Sequence, residues 1–141
     1  MSTRTGNCYC GTIKVEVSGE PVGMGFCHCD SCKSWSGTCM QPFALWMPGS
    51  VRLVAGADRL GSTNKTAQVY RKFCTACGGH VMAELATSGL TNLYPSMLPA
   101  LHFAPQLHLY YGEKVVSMAD GLPKYRDLPA QYGGSGTTLP D

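Results

Sequence analysis

The chain has 141 residues, eight of them cysteine, with only 14% charged residues and a formal net charge of +2. A chain of this length folds by default as one domain and buries roughly two-thirds of its unfolded surface. A charge this small gives no hold on nucleic acid or an anionic membrane, and no run approaches the ~18 apolar residues of a membrane helix.

The opening stretch, MSTRTGNCYCG, lacks the apolar segment of a signal peptide, so a soluble, cytoplasmic protein is expected. Pieces that alternate or carry β-branched residues then predict strands over 12–17 (TIKVEV), 22–26, 40–47, 51–54, 67–73, 80–85 and 107–111. Pro48-Gly49 and Gly78-Gly79 supply turns between them. Residues 30–36 predict a helical turn and 97–103 a second short helix. From Gln131 the chain (QYGGSGTTLPD) has little apolar content. A flexible tail is expected over 131–141, after a single domain over 1–130. The expected fold class is mainly β, with short strands and metal supplementing a limited core.

The cysteines sort by spacing. Cys8 and Cys10 form C-x-C, Cys74 and Cys77 form C-x-x-C before Gly78-Gly79, and Cys27, Cys29 and Cys32 form C-x-C-x-x-C. In an extended segment residues i and i+2 share a side, so Cys8 and Cys10 can face one ion. A C-x-x-C turn converges its two sulfurs, and a following glycine lets peptide N–H groups approach them. The two pairs together make a closed tetrahedral zinc site of four thiolates. Arg71 and Lys72 stand just before Cys74, either offsetting its excess negative charge or lying solvated on the surface.

The triplet leaves one zinc position open, as catalytic sites do, for water or a substrate thiolate. Three alternatives stand beside that one. Cys39 closes the site as a fourth thiolate, or it packs in the core at the start of CMQPFALWM. His28 is a ligand, although a residue between two cysteines on one face points away from them. Or the triplet holds an iron–sulfur cluster instead of zinc.

The motifs GNCYCGTIKVEVSGEP, FCHCDSCKSWSG, FCTACGGHV and PQLHLYYGEKVVSMADGLPKY, in this order, resemble the glutathione-dependent formaldehyde-activating enzyme family, which includes centromere-protein-V-like domains. The resemblance runs from Gly6 to about Leu128. It implies several short, coiled antiparallel sheets, the Mss4-like fold of a zinc-containing Rab-binding accessory protein. It implies two zinc ions per chain, a structural one on Cys8, Cys10, Cys74 and Cys77 and an active-site one on Cys27, Cys29 and Cys32. It also implies a carbon–sulfur lyase that condenses formaldehyde with glutathione, with the catalytic residues Cys27, Cys29 and Cys32. His28, His80 and His108 match histidines common in the family and are candidates for a base or for single structural hydrogen bonds. Asp120 is expected to cap a turn. Trp35 and Trp46 are core or rim aromatics, or line the substrate site. Lys33, Arg52, Arg71 and Lys72 are candidates to grip glutathione's carboxylates.

The expected partners are therefore a small thiol such as glutathione and a small carbonyl compound, with no nucleic acid and no membrane. The alternatives are a non-catalytic zinc module that binds a protein and a carrier of thiol or formaldehyde. A nucleic-acid-associated domain would want a basic segment that this chain lacks.

Overall fold

A computed structural model describes residues 2–141. The chain forms two compact units, Met1–Gly23 with Ala44–Phe103, and Met24–Phe43 with Ala104–Asp141. The sequence predicts one domain over 1–130. No helix among the described residues is long and apolar enough to cross a membrane.

In the first unit, β1 (Thr3–Asn7), β2 (Lys14–Ser18) and β5 (Val51–Ala55) form an antiparallel sheet in that order. Strand β2 alternates as its sequence KVEVS predicts: Val15 and Val17 are buried while Glu16 faces out to pair with Arg52 across the sheet at 2.8 Å. Gly6 of β1 is required by contact, since a Cβ there would lie 1.6 Å from the Met97 carbonyl oxygen. Strand β4 (Gln41–Trp46) enters this unit at Ala44. Its end pairs with β9 (Thr91–Leu93), and β9 continues through β8 (His80–Leu85) and β7 (Val69–Cys74) to β6 (Leu60–Thr66), all antiparallel. Ile13, Val15, Trp46, Val81, Leu93 and Leu98 form the core, with Cys8 and Cys74 packed among them. The helix predicted over 97–103 is only a 3-10 turn at Pro95–Met97, because Pro99 has no N–H to continue it and its ring blocks a regular helix. Strands β1, β6 and β9 were not predicted. Their sequences, TRTGN, LGSTNKT and TNL, lack the apolar alternation that signals a strand, and pairing with neighbours supplies it instead.

In the second unit, β3 (Gly23–Cys27) leads to α1 (Asp30–Ser36), and the chain returns as the short β10 (His108–Leu109). Strand β10 runs parallel to β3, with His108 opposite Phe26 and Leu109 opposite Cys27. The predicted strand over 107–111 stops early because Tyr110 turns the backbone to φ 54°. Beyond it, His108 bridges to Lys124 and Tyr125 to Thr138. The segment expected as a flexible tail is bonded instead: Arg126 N–H donates to Thr137 O (2.8 Å), Leu139 N–H to Lys124 O (2.7 Å), and Asp141 pairs with Lys124 at 2.6 Å. Its low apolar content conceals that polar role, which is to satisfy a buried ammonium.

Candidate metal centres and a buried histidine network

The four-cysteine group lies in the first unit, where the sulfurs of Cys8, Cys10, Cys74 and Cys77 all lie within 4.8 Å of one another. Cys8 Sγ is 3.7 Å from Cys10 Sγ, which is 3.9 Å from Cys74 Sγ. The C-x-C pair does not converge by strand alternation. Strand β1 ends at Asn7, and a turn closed by Gly11 N–H to Cys8 O (2.9 Å) brings the two sulfurs together. The C-x-x-C pair behaves as its glycines predict: Gly78, at φ 75°, donates to Cys74 O, and Gly79 N–H reaches Cys77 Sγ at 3.3 Å. Ile13 N–H donates to Cys8 Sγ at 3.2 Å. Burial raises the Cys8 thiol, but the Ile13 N–H, the Cys74 side chain and the Gly11 N–H together outweigh it and lower the pKa. Four converging sulfurs with peptide donors are a donor set that can hold a thiophilic metal ion.

The three-cysteine group lies in the second unit. Cys27 ends β3, Cys29 caps α1 by accepting Cys32 N–H on its sulfur at 3.3 Å, and Cys32 sits in the helix's first turn. Cys32 Sγ is 3.5 Å from Cys27 Sγ, and all three sulfurs lie within 4.8 Å. Among the described residues no fourth histidine, cysteine or carboxylate joins this group. The Cys29 and Cys32 side chains, then burial, push the Cys27 thiol well above its ordinary range. Three thiols so crowded ionise together only around a cation, which fits a metal site with an incomplete protein donor set.

His28 points away from the sulfurs. Its Nε2 is 2.8 Å from His108 Nδ1, and His108 Nε2 is 2.7 Å from Asp120 Oδ2. Asp120 Oδ1 accepts from Lys124 Nζ at 2.8 Å, and that ammonium also donates to Leu122 O and pairs with Asp141. His28, His108, Lys124 and Tyr111 are all buried. The Tyr111 ring packs edge-on against both imidazoles, with centroids 4.9 and 5.5 Å away. Burial, then the charges of His108, Lys33 and Lys114, pushes the His28 imidazole down to about 4. Its Nδ1 is buried with no hydrogen-bond partner among the described residues. Burial would raise Asp120, but the bonds from Lys124 and His108 outweigh it and hold the carboxyl well below its usual range.

All seven predicted ligand cysteines thus fall into two groups, partitioned as the spacing predicts. Cys39 is exposed and belongs to neither group, nor to the core. His80, in β8, is half-buried with its ring 6.4 Å from that of Tyr94. Trp46 is fully buried in the first unit's core. Trp35 is half-buried on α1. Asp120 does cap a turn, through Leu122 N–H at 3.1 Å, besides its ionic role. Lys33 pairs with Asp30 at 3.2 Å and donates to Glu113 O, Arg52 pairs with Glu16, and Lys72 lies 3.8 Å from Glu84. Lys124, Asp141, Tyr110 and Tyr111 went unseen in the sequence. The i, i+4 spacing of Asp120 and Lys124 was the one available signal.

A family model described as glutathione-dependent formaldehyde-activating enzyme matches residues 3–113. An uncharacterized lyase of Schizosaccharomyces pombe is 29% identical over 78 residues, 55% of this chain and 55% of its own length. A protein of Pyrenophora teres f. teres, whose name assigns it provisionally to the same activity, is 28% identical over 80 residues, 55% of this chain and 42% of that one. The chain thus spans about half the length of these relatives. A crystal structure of a Rhodobacter sphaeroides protein superposes with a TM-score of 0.58 at 20% identity, covering 69% of this chain and 89% of that one, a likeness of fold.

Proposed function

Because the chain belongs to the glutathione-dependent formaldehyde-activating enzyme family, we propose that it is a zinc-dependent carbon–sulfur lyase that joins a small thiol, glutathione or a relative, to formaldehyde in the cytoplasm. The observation that carries this reading is the contrast between the two cysteine groups, one with four sulfurs and one with three. Cys8, Cys10, Cys74 and Cys77 would hold a structural zinc, and Cys27, Cys29 and Cys32 a second. A zinc ion held by those three thiolates would supply a Lewis-acid centre that favours the thiolate form of an incoming thiol.

The reaction needs little further chemistry. The sulfur lone pair forms the C–S bond, the C=O π pair moves to oxygen, and a proton from solvent on that oxygen balances the one the thiol released. The chain contributes position. The turn from β3 into α1 sets the three sulfurs on one side, the Cys32 N–H supports Cys29, and the His28–His108 bond anchors the intervening residue on the other side.

Elemental analysis tests this reading, followed by glutathione titration of the cobalt-substituted protein and by the rate of adduct formation over the uncatalysed reaction. Two metals per chain, one released by a mild chelator, a thiolate-to-cobalt band that responds to glutathione, and acceleration are expected. One firmly held metal, or two with no spectral response, overturns it.

A further inference from the structure

We propose that Tyr110 is a catalytic hydrogen-bond donor of the three-cysteine centre, its phenol O–H meeting the oxygen of the small carbonyl compound that the thiol attacks. This rests on the reaction proposed above and adds the group that receives its second substrate.

Two tyrosines stand side by side and differ in every respect that matters. Tyr111 is fully buried, and its hydroxyl oxygen accepts Met118 N–H at 2.8 Å. Tyr110 is half-buried, and its hydroxyl has no hydrogen-bond partner among the described residues. A half-exposed phenol can be served by water, so that contrast alone decides nothing. The backbone is what singles Tyr110 out. Among the described residues it is the only one other than glycine with a positive φ, at φ 54° and ψ 37°. A bulky Cβ in that region crowds its own chain, and glycine or asparagine would make the same turn more easily. The neighbours over-determine the strained form: Tyr110 N–H donates to Asp127 O (2.9 Å), Tyr110 O accepts Glu113 N–H (3.0 Å), and Tyr111 N–H donates to Tyr125 O (2.9 Å). Strain kept on a large side chain is commonly strain kept for a site.

The strand register says which site. Leu109, the preceding residue, lies opposite Cys27 and accepts His28 N–H at 2.9 Å. Tyr110 therefore leaves β10 beside the Cys27–Cys29 segment. Its phenol feels the charges of both cysteines. A phenol of ordinary pKa, about 10, is a protonated donor at neutral pH, and burial first, then those charges, shift it only upward.

An uncharged donor suits the place. As the C–S bond forms, the C=O electron pair collects on oxygen, and a fixed O–H stabilises it where it develops. The thiol's proton leaves to solvent on binding and one returns from solvent to the new hydroxyl, so Tyr110 keeps its own. A cation there would be drawn to the thiolates instead, and Lys33 of α1 is already held by Asp30 and Glu113 O.

The test is Tyr110→Phe in the metal-loaded protein, with glutathione and formaldehyde as probes. kcat should fall by roughly 10- to 100-fold, at or below the ~10²–10³ that a lost oxyanion donor costs in a water-excluded site, because this phenol is only half-buried. Metal content and the cobalt-band titration with glutathione should not change. If Tyr110→Phe fails to fold, Tyr110→Asn tolerates the left-handed backbone and carries the same expectation. A wild type that accelerates the reaction and a variant that equals it overturn the role of Tyr110 alone. A wild type that gives no acceleration overturns the proposed reaction, and the role of Tyr110 with it.

Discussion

His28 Nε2 lies 2.8 Å from His108 Nδ1, between two fully buried rings from β10 and from the cysteine-bearing turn. The Asp120 carboxylate can only accept, so His108 Nε2 carries a proton toward it. In the neutral pair His108 Nδ1 is then a lone pair, and His28 Nε2 must be the donor. His28 Nδ1 is left bare. One surface-reaching carboxylate thereby fixes the proton on a ring that sits between two candidate metal ligands.

Asp120→Asn should reverse that order. Lys124 donates to Oδ1 and so turns the amide oxygen toward itself, leaving the NH₂ to face His108 Nε2. His108 must then accept at Nε2 and donate from Nδ1, and His28 must carry its proton on Nδ1. Long-range proton–nitrogen NMR of the two imidazoles reads this directly. Wild type should show both rings protonated at Nε2, and the variant both at Nδ1. Unchanged tautomers in the variant would mean that Asp120 does not set the relay.

The same carboxylate should carry acid sensitivity. Its folded pKa is depressed, so its stabilisation is present above the unfolded value of about 3.9 and is lost as pH falls through that value toward the lower folded one. The groups facing it are His108 and Lys124, with Asp141 behind the ammonium. Asp120→Ala leaves Lys124 buried with Asp141 and one carbonyl, so about 2 kcal/mol should be lost at pH 7, less than for a wholly stranded charge. Denaturant unfolding of both proteins checks it. Their difference should shrink at pH 3, below the unfolded value, where unfolded wild type takes up a proton that folded Asp120 does not.

The two cysteine groups should respond differently to substitution. Cys74→Ser removes a candidate ligand buried in the core of the first unit. Metal bound there would contribute folding free energy, and its loss would rival the ~5–15 kcal/mol that holds a typical domain. Loss of soluble protein is expected, and a well-folded, soluble Cys74→Ser would refute the structural assignment. Cys29→Ser should spare most of the fold and lower metal from two toward one per chain. Simultaneous loss of both metals would show that the sites are not independent.

The sequence revealed most where one residue type carries the chemistry at fixed spacing. Sulfur pairs two or three residues apart can reach a common ion whatever the intervening fold, so Cys8 and Cys10 could be grouped with Cys74 and Cys77 although the C-x-C geometry is a turn and not a strand. Val15 and Val17 were legible by alternation. Polar strands such as β6, LGSTNKT, were not, because their existence depends on a neighbour's edge. Lys124 was hidden for a related reason. Lysine is almost always exposed, and only the fold shows that Asp120 and Asp141, the latter 17 residues beyond Lys124, meet it in the interior. Tyr110 was hidden because backbone sign is a property of the turn, and Tyr-Tyr gives no turn signal.

Gly25 offers a way to disturb the three-cysteine centre without touching a sulfur. A Cβ at this position of β3 would lie 2.4 Å from Leu107 O and 2.8 Å from Phe43 Cζ. The ring could shift a little, but the carbonyl belongs to the backbone that leads into β10. Gly25→Ala should therefore push 107–109 off β3 and weaken the bonds from Phe26 N–H to Leu107 O and from His28 N–H to Leu109 O, now 3.1 and 2.9 Å. Overpacking of this kind costs about 1–3 kcal/mol. With β10 displaced, His108 no longer anchors His28, and the turn carrying Cys27 and Cys29 loses its support. The expected outcome is one metal per chain instead of two, a weaker cobalt response to glutathione, and faster amide exchange at Phe26 and His28. Full metal content with unchanged exchange would show that the cysteine turn holds its shape without β10.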